Sequence, residues 1–246
     1  MQIIPAIDIR DGRCVRLLHG EYDKETRYDV DPVTLATHYS NLGLSTLHLV
    51  DLDGARDGNP VNTALFKRIA DATRASIQVG GGIRSAAQIN ELFEVGVSRV
   101  VVGSLAVESP QTVAAWLQEF GGHRIVLALD VRIDAQGTPF VCTRAWTHTT
   151  SHTLYDTIER YINAGLSTVL CTDIAKDGAL TGPSVALYES LKVRYPAMTI
   201  QASGGVANID DLRSLRNSGV DGAITGKALL ESHITDEEIR TFLLDA

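Results

Sequence analysis

Two aspartates have the type and spacing to work as a pair. Asp8 closes the apolar run Ile3–Ile7, and Asp130 closes the run Ile125–Leu129, 122 positions later. Two carboxylates that meet one substrate from opposite sides suit a general acid and a general base, provided their surroundings separate their acidities. The plainer alternative is that each caps a loop or pairs with the nearby Arg10 or Arg132. Asp51 and Asp173 repeat the offset of 122 at two other runs. They suit either substrate hydroxyls or the orientation of loops. Asp177, in Lys176-Asp177-Gly178, lies just past the later run and is the better candidate there for a substrate contact.

Glycine pairs make the second constellation. Gly81-Gly82 and Gly103-Ser104 follow two successive runs in the first half of the chain. Ser203-Gly204-Gly205 and Gly226-Lys227 follow two in the second half. Without a Cβ the backbone comes close to a ligand, and amides at a helix start attract an anion. One such pair alone is equally well a tight turn. Repetition at adjacent runs in both halves points to two phosphate sites about opposite each other. No run is followed by Gly-x-Gly-x-x-Gly, the dinucleotide fingerprint.

These residues need a scaffold, and the apolar runs supply it. The runs are Ile3–Ile7, Thr46–Val50, Ser76–Val79, Arg99–Val102, Ile125–Leu129, Thr168–Cys171, Thr199–Ala202 and Gly222–Thr225. They are rich in Val, Ile and Leu without strict alternation, as parallel strands buried on both faces are. Amphipathic stretches lie between them. Asp31-Pro32, Asn59-Pro60, Ser109-Pro110 and Gly182-Pro183 signal helix starts, and Gly43, Gly96, Gly165 and Gly219 signal stops. Eight strand–helix alternations predict a (β/α)8 TIM barrel of class α/β, with a doubly wound open sheet as the alternative. The strand ends that carry both aspartates and the glycine pairs then form one face, where barrel chemistry sits.

The chain also resembles itself. Tyr39 to Thr46 resembles Tyr161 to Thr168, and Ile77 to Ile83 resembles Ile200 to Val206. Gly96-Val97 matches Gly219-Val220, and Gly103 matches Gly226, all at offsets of 122 or 123. The simplest account is a single barrel domain over 1–246, built from half-barrels of about 1–122 and 123–246.

Residues 9–31 and 131–150 read as two loops far longer than the roughly 2–6 residues usual after a barrel strand. Both follow the strands with Asp8 and Asp130, which suits functional lids. The first holds Arg13, Arg16 and His19, and the second holds Arg144, Trp146 and His148. Trp146 could stack on a flat heterocycle or anchor its own loop. His148 and His152 have i, i+4 spacing, but no third ligand is obvious and Ser151 reads as a helix cap, so no metal site is assigned. His48, inside a strand, reads as a structural histidine. The stretch Thr235-Asp236-Glu237-Glu238 has capping-box spacing and predicts the start of a surface helix.

Composition excludes several classes. With 246 residues, 44% of them hydrophobic, the chain can bury a large core. No apolar run reaches the roughly 20 residues of a membrane helix, and the start of the chain lacks a signal-peptide pattern. The net charge of −8 disfavours nucleic acid and anionic lipid. Cys14, Cys142 and Cys171 are odd in number and widely spaced, as expected of reduced thiols in a cytoplasmic protein. Nothing in the pattern marks a partner surface, and a monomer is expected.

The motifs together resemble a known family. Ile-Ile-Pro-Ala-Ile-Asp at 3–8, Val-Asp-Leu-Asp-Gly-Ala at 50–55, Val-Gly-Gly-Gly-Ile-Arg at 79–84 and Ser-Gly-Gly-Val at 203–206 resemble the phosphoribosylformimino-aminoimidazole carboxamide ribotide isomerases of histidine biosynthesis. The likeness runs from about residue 2 to residue 231, with departures at Thr225 and Leu230. Asp53, Arg84 and Gly103-Ser104 are isomerase-like features against the related cyclase subunit of imidazole glycerol phosphate synthase.

The resemblance implies an Amadori rearrangement of an aminoaldose carrying two phosphoribosyl ends, without metal or redox cofactor. It implies Asp130 as general acid and Asp8 as general base. It also implies Trp146 stacked on the aminoimidazole, and Arg16, Arg84, Asp177, Gly178 and Ser203 with the glycine motifs around the substrate. The cyclase, an isomerase that also accepts phosphoribosyl anthranilate, and a non-catalytic phosphosugar-binding barrel stay open as alternatives.

Overall fold

The Val, Ile and Leu runs become strands because β-branched side chains suit the pleated backbone and find apolar partners on both faces. The computed structural model describes residues 1–18, 20–143 and 146–245, so His19 and Arg144 lie outside the described residues. Strands are β1 (Gln2–Arg10), β2 (Arg13–Leu18), β3 (Glu21–Arg27), β4 (Thr46–Asp51), β5 (Ser76–Gly80), β6 (Arg99–Val102), β7 (Ile125–Ile133), β8 (Pro139–Thr143), β9 (His148–Thr153), β10 (Thr168–Asp173), β11 (Thr199–Ser203) and β12 (Gly222–Thr225). β1, β4, β5, β6, β7, β10, β11 and β12 pair in that order, each parallel to the next, and β12 closes on β1. This is the expected (β/α)8 barrel.

Helices cover the outside: α1 (Pro32–Asn41), α2 (Leu52–Asp57), α3 (Thr63–Ala72), α4 (Ala86–Glu94), α5 (Leu105–Glu108), α6 (Pro110–Phe120), α7 (Leu154–Ile162), α8 (Val185–Arg194), α9 (Ile209–Asn217), α10 (Lys227–Leu230) and α11 (Asp236–Leu244). Asp31 caps α1 by accepting from Thr34 N, with Pro32 at its first position. Capping boxes start α4, α9 and, as read from the sequence, α11.

Two predicted starts fall early. α3 and α8 begin after Asn62 and Ser184, not directly after Asn59-Pro60 and Gly182-Pro183. Asn62 and Ser184 are hydrogen-bonded to Asp51 and Asp173, which ties these segments to the strand ends.

The two expected loops are strands. β1 and β7 run beyond the barrel rim, and each pairs with an antiparallel partner, β2 or β8, that pairs in turn with β3 or β9. β3 and β9 are largely polar, and the apolar stretches of β2 and β8 are only two or three residues long, so no long apolar run announced them. Backbone pairing to an extended barrel strand holds them instead. His148 and His152 therefore sit on strand β9, not on a helix, and Thr153 takes the cap position that Ser151 was expected to fill.

The barrel core has two compartments, and a small third cluster of Val15, Leu17 and Leu52 lies under the β2 lid. Between strands and helices lies a continuous apolar layer that includes Ile7, Leu47, Phe66, Tyr161 and Phe242. Inside the barrel, Ile4, Ala6, Val101, Val126, Leu170 and Ile224 form a second cluster. Gln78 and Gln201, on facing strands, fill the remaining interior with a reciprocal amide pair at 2.8 and 3.1 Å. Removing one partner of a buried pair strands the other, whereas removing both does not. Gln78→Leu should cost about 1–3 kcal/mol. Adding Gln201→Leu should recover part of that loss, as a urea-unfolding double-mutant cycle would measure.

Candidate active site

Strand parity decides which carboxylates face inward. Asp8 pairs with Val50 and Asp130 with Thr172, while Asp51 pairs with Ile9 and Asp173 with Val131. Alternate residues point to opposite faces. Asp8 and Asp130 therefore line a cavity of about 590 Å³ at the C-terminal ends of the strands, and Asp51 and Asp173 turn away from it.

Asp51 caps α2 through Gly54 N at 2.8 Å and also accepts from Val61 N, Asn62 N and Asn62 Nδ2. Asp173 accepts from Ala175 N at 3.0 Å and from Ser184 Oγ. Of the two readings left open for this pair, the structure takes the orientation of loops.

All the other predicted site residues share the cavity. Asp8, Arg16, Gly81, Gly82, Arg84, Gly103, Ser104, Asp130, Trp146, Asp177, Gly178, Ser203, Gly204, Gly205, Gly226 and Lys227 line it. In the ring of strands, the β5–β6 glycine pairs stand opposite those of β11–β12, and β1 stands opposite β7. The cavity thus alternates glycine motif, carboxylate, glycine motif, carboxylate around its wall.

Gly81 and Gly204 are required sterically. Their φ values are 114° and 97°, and a Cβ would stand 2.2 Å from Asp51 O or 2.9 Å from Asp173 O. Packing against the loop below is thus one reason for these glycines, beside any ligand.

The two inward aspartates have unlike neighbours. Burial raises the pKa of Asp8, and the Arg16 guanidinium opposes it from 2.9 Å. Arg16 also reaches Asp177 at 2.8 Å, so one buried cation from β2 spans the cavity mouth between two carboxylates. Burial also raises Asp130, and among the described residues no cation opposes it. Its partners are Trp146 Nε1 at 2.8 Å and the Thr172 hydroxyl, both neutral donors, and the Asp177 charge pushes it further up. Of the two, Asp8 has the cation that favours a carboxylate, whereas the described partners of Asp130 are neutral donors.

Trp146 sits on the lid between β8 and β9 with φ +68°, an uncommon conformation for a large side chain. Its indole lies within 3.4 Å of the place a Cβ on Gly20 would take, so the two lids meet over the cavity.

Some cavity residues carried no functional signal in the sequence. Thr172 is one, and inward parity on β10 would have found it. His48, read as structural, faces the cavity with Nδ1 3.2 Å from Gln78 Nε2. Burial lowers it to about 4, which keeps it neutral. Cys14 is pushed up to about 12 by burial, an inert thiol. Among the described residues, no group of three His, Cys, Asp or Glu is placed to hold a metal ion, and no helix is long and apolar enough to cross a membrane.

A carboxyl whose proton is held more tightly on burial has a stability consequence. The folded state binds the Asp130 proton more tightly than the unfolded chain, so this site contributes stability at low pH and loses it as pH rises through the raised value. Asp130→Asn should therefore raise the melting temperature at pH 8 more than at pH 4.5, read by calorimetry.

Comparison with known proteins follows the same lines. Residues 2–235 match the family model described as histidine biosynthesis protein. The chain is 45% identical over 236 residues to a protein of Serratia proteamaculans (strain 568), with 96% of each chain covered. It is 47% identical over 229 residues to one of Aeromonas salmonicida (strain A449), covering 93% and 92% of the two chains. Both relatives are named 1-(5-phosphoribosyl)-5-((5-phosphoribosylamino)methylideneamino) imidazole-4-carboxamide isomerase.

Proposed function

The chain belongs to the histidine-biosynthesis protein family, and from that premise we propose that it isomerises the substrate for which those relatives are named. The reaction is an Amadori rearrangement of an aminoaldose to an aminoketose, in the class of aldose–ketose isomerases. The observation that carries the reading is the unlike pair of buried carboxylates on opposite walls, each flanked by a glycine motif.

The substrate carries two phosphoribosyl ends. One phosphate is assigned to Gly81, Gly82, Arg84, Gly103 and Ser104. The other is assigned to Ser203, Gly204, Gly205, Gly226 and Lys227. The span between them lays the reacting ribose between Asp8 and Asp130. Glycine backbones let phosphates in despite the net charge of −8. All these residues come from one copy of the chain, so a monomer is sufficient. The division into half-barrels, about 1–122 and 123–246, belongs to the same proposal, since each half supplies one carboxylate and one phosphate site.

Asp130, as the neutral acid, donates its proton to the ribose ring oxygen as the C1–O bond breaks, leaving a protonated Schiff base. Asp8, as the carboxylate beside Arg16, removes the C2 proton, and those electrons form the enolamine. Its tautomerisation gives the ketone. Substrate and product are isomers, so no external oxidant or reductant enters. Trp146 orients the acid through its indole N–H and offers its face to the aminoimidazole. Asp177 and Gly178 close the cavity from the β10 side with Arg16.

Asp8→Asn and Asp130→Asn should each lower kcat by roughly 10²–10⁴-fold, with KM little changed. An ammonia-free assay of aminoaldose consumption reads both. Wild-type turnover in Asp8→Asn would overturn the assignment of the base, and turnover only with ammonia would overturn the isomerase reading. The pH–rate profile of the wild type should be bell-shaped, falling in acid as Asp8 takes up a proton and in base as Asp130 loses one.

A further inference from the structure

Arg16 reaches Asp8 only while β2 lies against β1 in one register. In that register Asp8 stands opposite Val15 and Arg10 opposite Arg13. The turn that sets it is Asp11-Gly12, with φ values of 50° and 71°, the sequence and handedness favoured for a two-residue hairpin. Nothing inside the turn attaches it to the barrel rim. The attachment is Asp53 on α2, whose Oδ2 accepts the Asp11 backbone amide at 2.8 Å.

Asp53 is unusual for a residue in the first turn of a short helix. It is 4% exposed, and its Oδ1 is buried without a hydrogen bond, the nearest cation being Arg56 at 3.7 Å. A buried carboxylate oxygen without a hydrogen bond is costly and calls for a reason. Capping α2 is not the reason, since Asp51 already does that. Asn62 Nδ2 ties Asp53 to Asp51, bonding them at 3.1 and 2.7 Å. The same stretch takes the rest of the hairpin. Tyr22 Oη donates to Leu52 O at 2.8 Å, and Val15 and Leu17 pack on Leu52.

The opposite lid is fastened differently. The position 122 residues after Asp53 is Ala175, which has no carboxylate to offer. The turn between β7 and β8 is closed internally by Asp134, which accepts from Gln136 N at 2.9 Å and Thr138 N at 2.8 Å. Of the two lid turns, the one whose hairpin carries Arg16 onto Asp8 is clamped by a buried acid, and the other is closed on itself.

We propose that Asp53 is a positioning residue, which through the Asp11 amide holds the β2–β3 hairpin in the register that keeps Arg16 on Asp8. The proposal rests on the reading of Asp8 as the base. It is tested in the full chain with Asp53→Ala and Asp53→Asn.

Asp53→Ala should lower kcat by roughly 10–100-fold with little change in KM, because the phosphate sites stay intact while Arg16 no longer holds the base as a carboxylate. Amide hydrogen exchange should speed up in residues 13–27 and stay at its wild-type rate in β5, β6, β11 and β12. Asp53→Asn keeps an acceptor for Asp11 and should restore both readouts. Where Asp53→Ala does not fold, Asp53→Ser, whose hydroxyl falls short of Asp11, gives the same readouts. Wild-type kcat in Asp53→Ala, a uniform rise in exchange across the barrel, or failure of Asp53→Asn to rescue would each overturn the clamp. Asp8→Asn made in parallel separates the two claims. If Asp8→Asn is inactive and Asp53→Ala behaves as wild type, the clamp alone fails. If Asp8→Asn is active, the reading of the base fails.

Discussion

The pairing of β12 with β1 is the contact on which the rest depends. Gln2 to Pro5 lie beside Gly222 to Thr225, and this parallel ladder turns an open sheet into a ring. Gly222 makes room for it, since a Cβ there would stand 2.7 Å from Ile4 Cδ1 inside the barrel. Closure has two consequences. All eight C-terminal strand ends reach one rim, and every second residue is forced into a shared interior. Most of that interior is filled by aliphatic side chains and the Gln78–Gln201 pair. The top layer is left to Asp8, Asp130, Thr172 and glycine.

Burial alone would make Asp8 and Asp130 alike, because both are pushed toward the protonated form. The lids make them unlike. β2 brings a guanidinium to one, and the segment before β9 brings an indole N–H to the other. A full positive charge stabilises a carboxylate far more than a neutral donor does at the same distance. The difference between the two carboxylates therefore resides in two excursions from the barrel. Arg16, with Asp8 on one side and Asp177 on the other, also screens those two carboxylates from each other.

The two halves share a frame and differ in its fittings. Asp51 and Asp173 do equivalent work under the glycine loops, the first through Asn62 and the second through Ser184. The packing of Gly81 on Asp51 O and of Gly204 on Asp173 O is the same contact repeated. Where the halves diverge, the divergence follows the charge at the rim. One lid turn is clamped by Asp53 and the other is closed on itself through Asp134.

The eight runs, the helix stops at Gly43, Gly96, Gly165 and Gly219, and the inward aspartates were legible in the sequence because they depend on local rules. Apolar runs, backbone conformations that glycine tolerates best, and the offset of 122 all survive without coordinates. The lid strands were not legible, since β3 and β9 are polar, β2 and β8 have only short apolar stretches, and the pairing with β1 and β7 is made by backbone hydrogen bonds. Nor was the role of Asp51 and Asp173, although strand parity held the clue that they face away from the cavity. The sequence by itself determined which aspartates and glycine motifs stand on the rim. Only the tertiary structure decided which carboxylate meets Arg16 and which meets Trp146. Those contacts join residues from different excursions, and their electrostatics depend on distances that no spacing along the chain encodes.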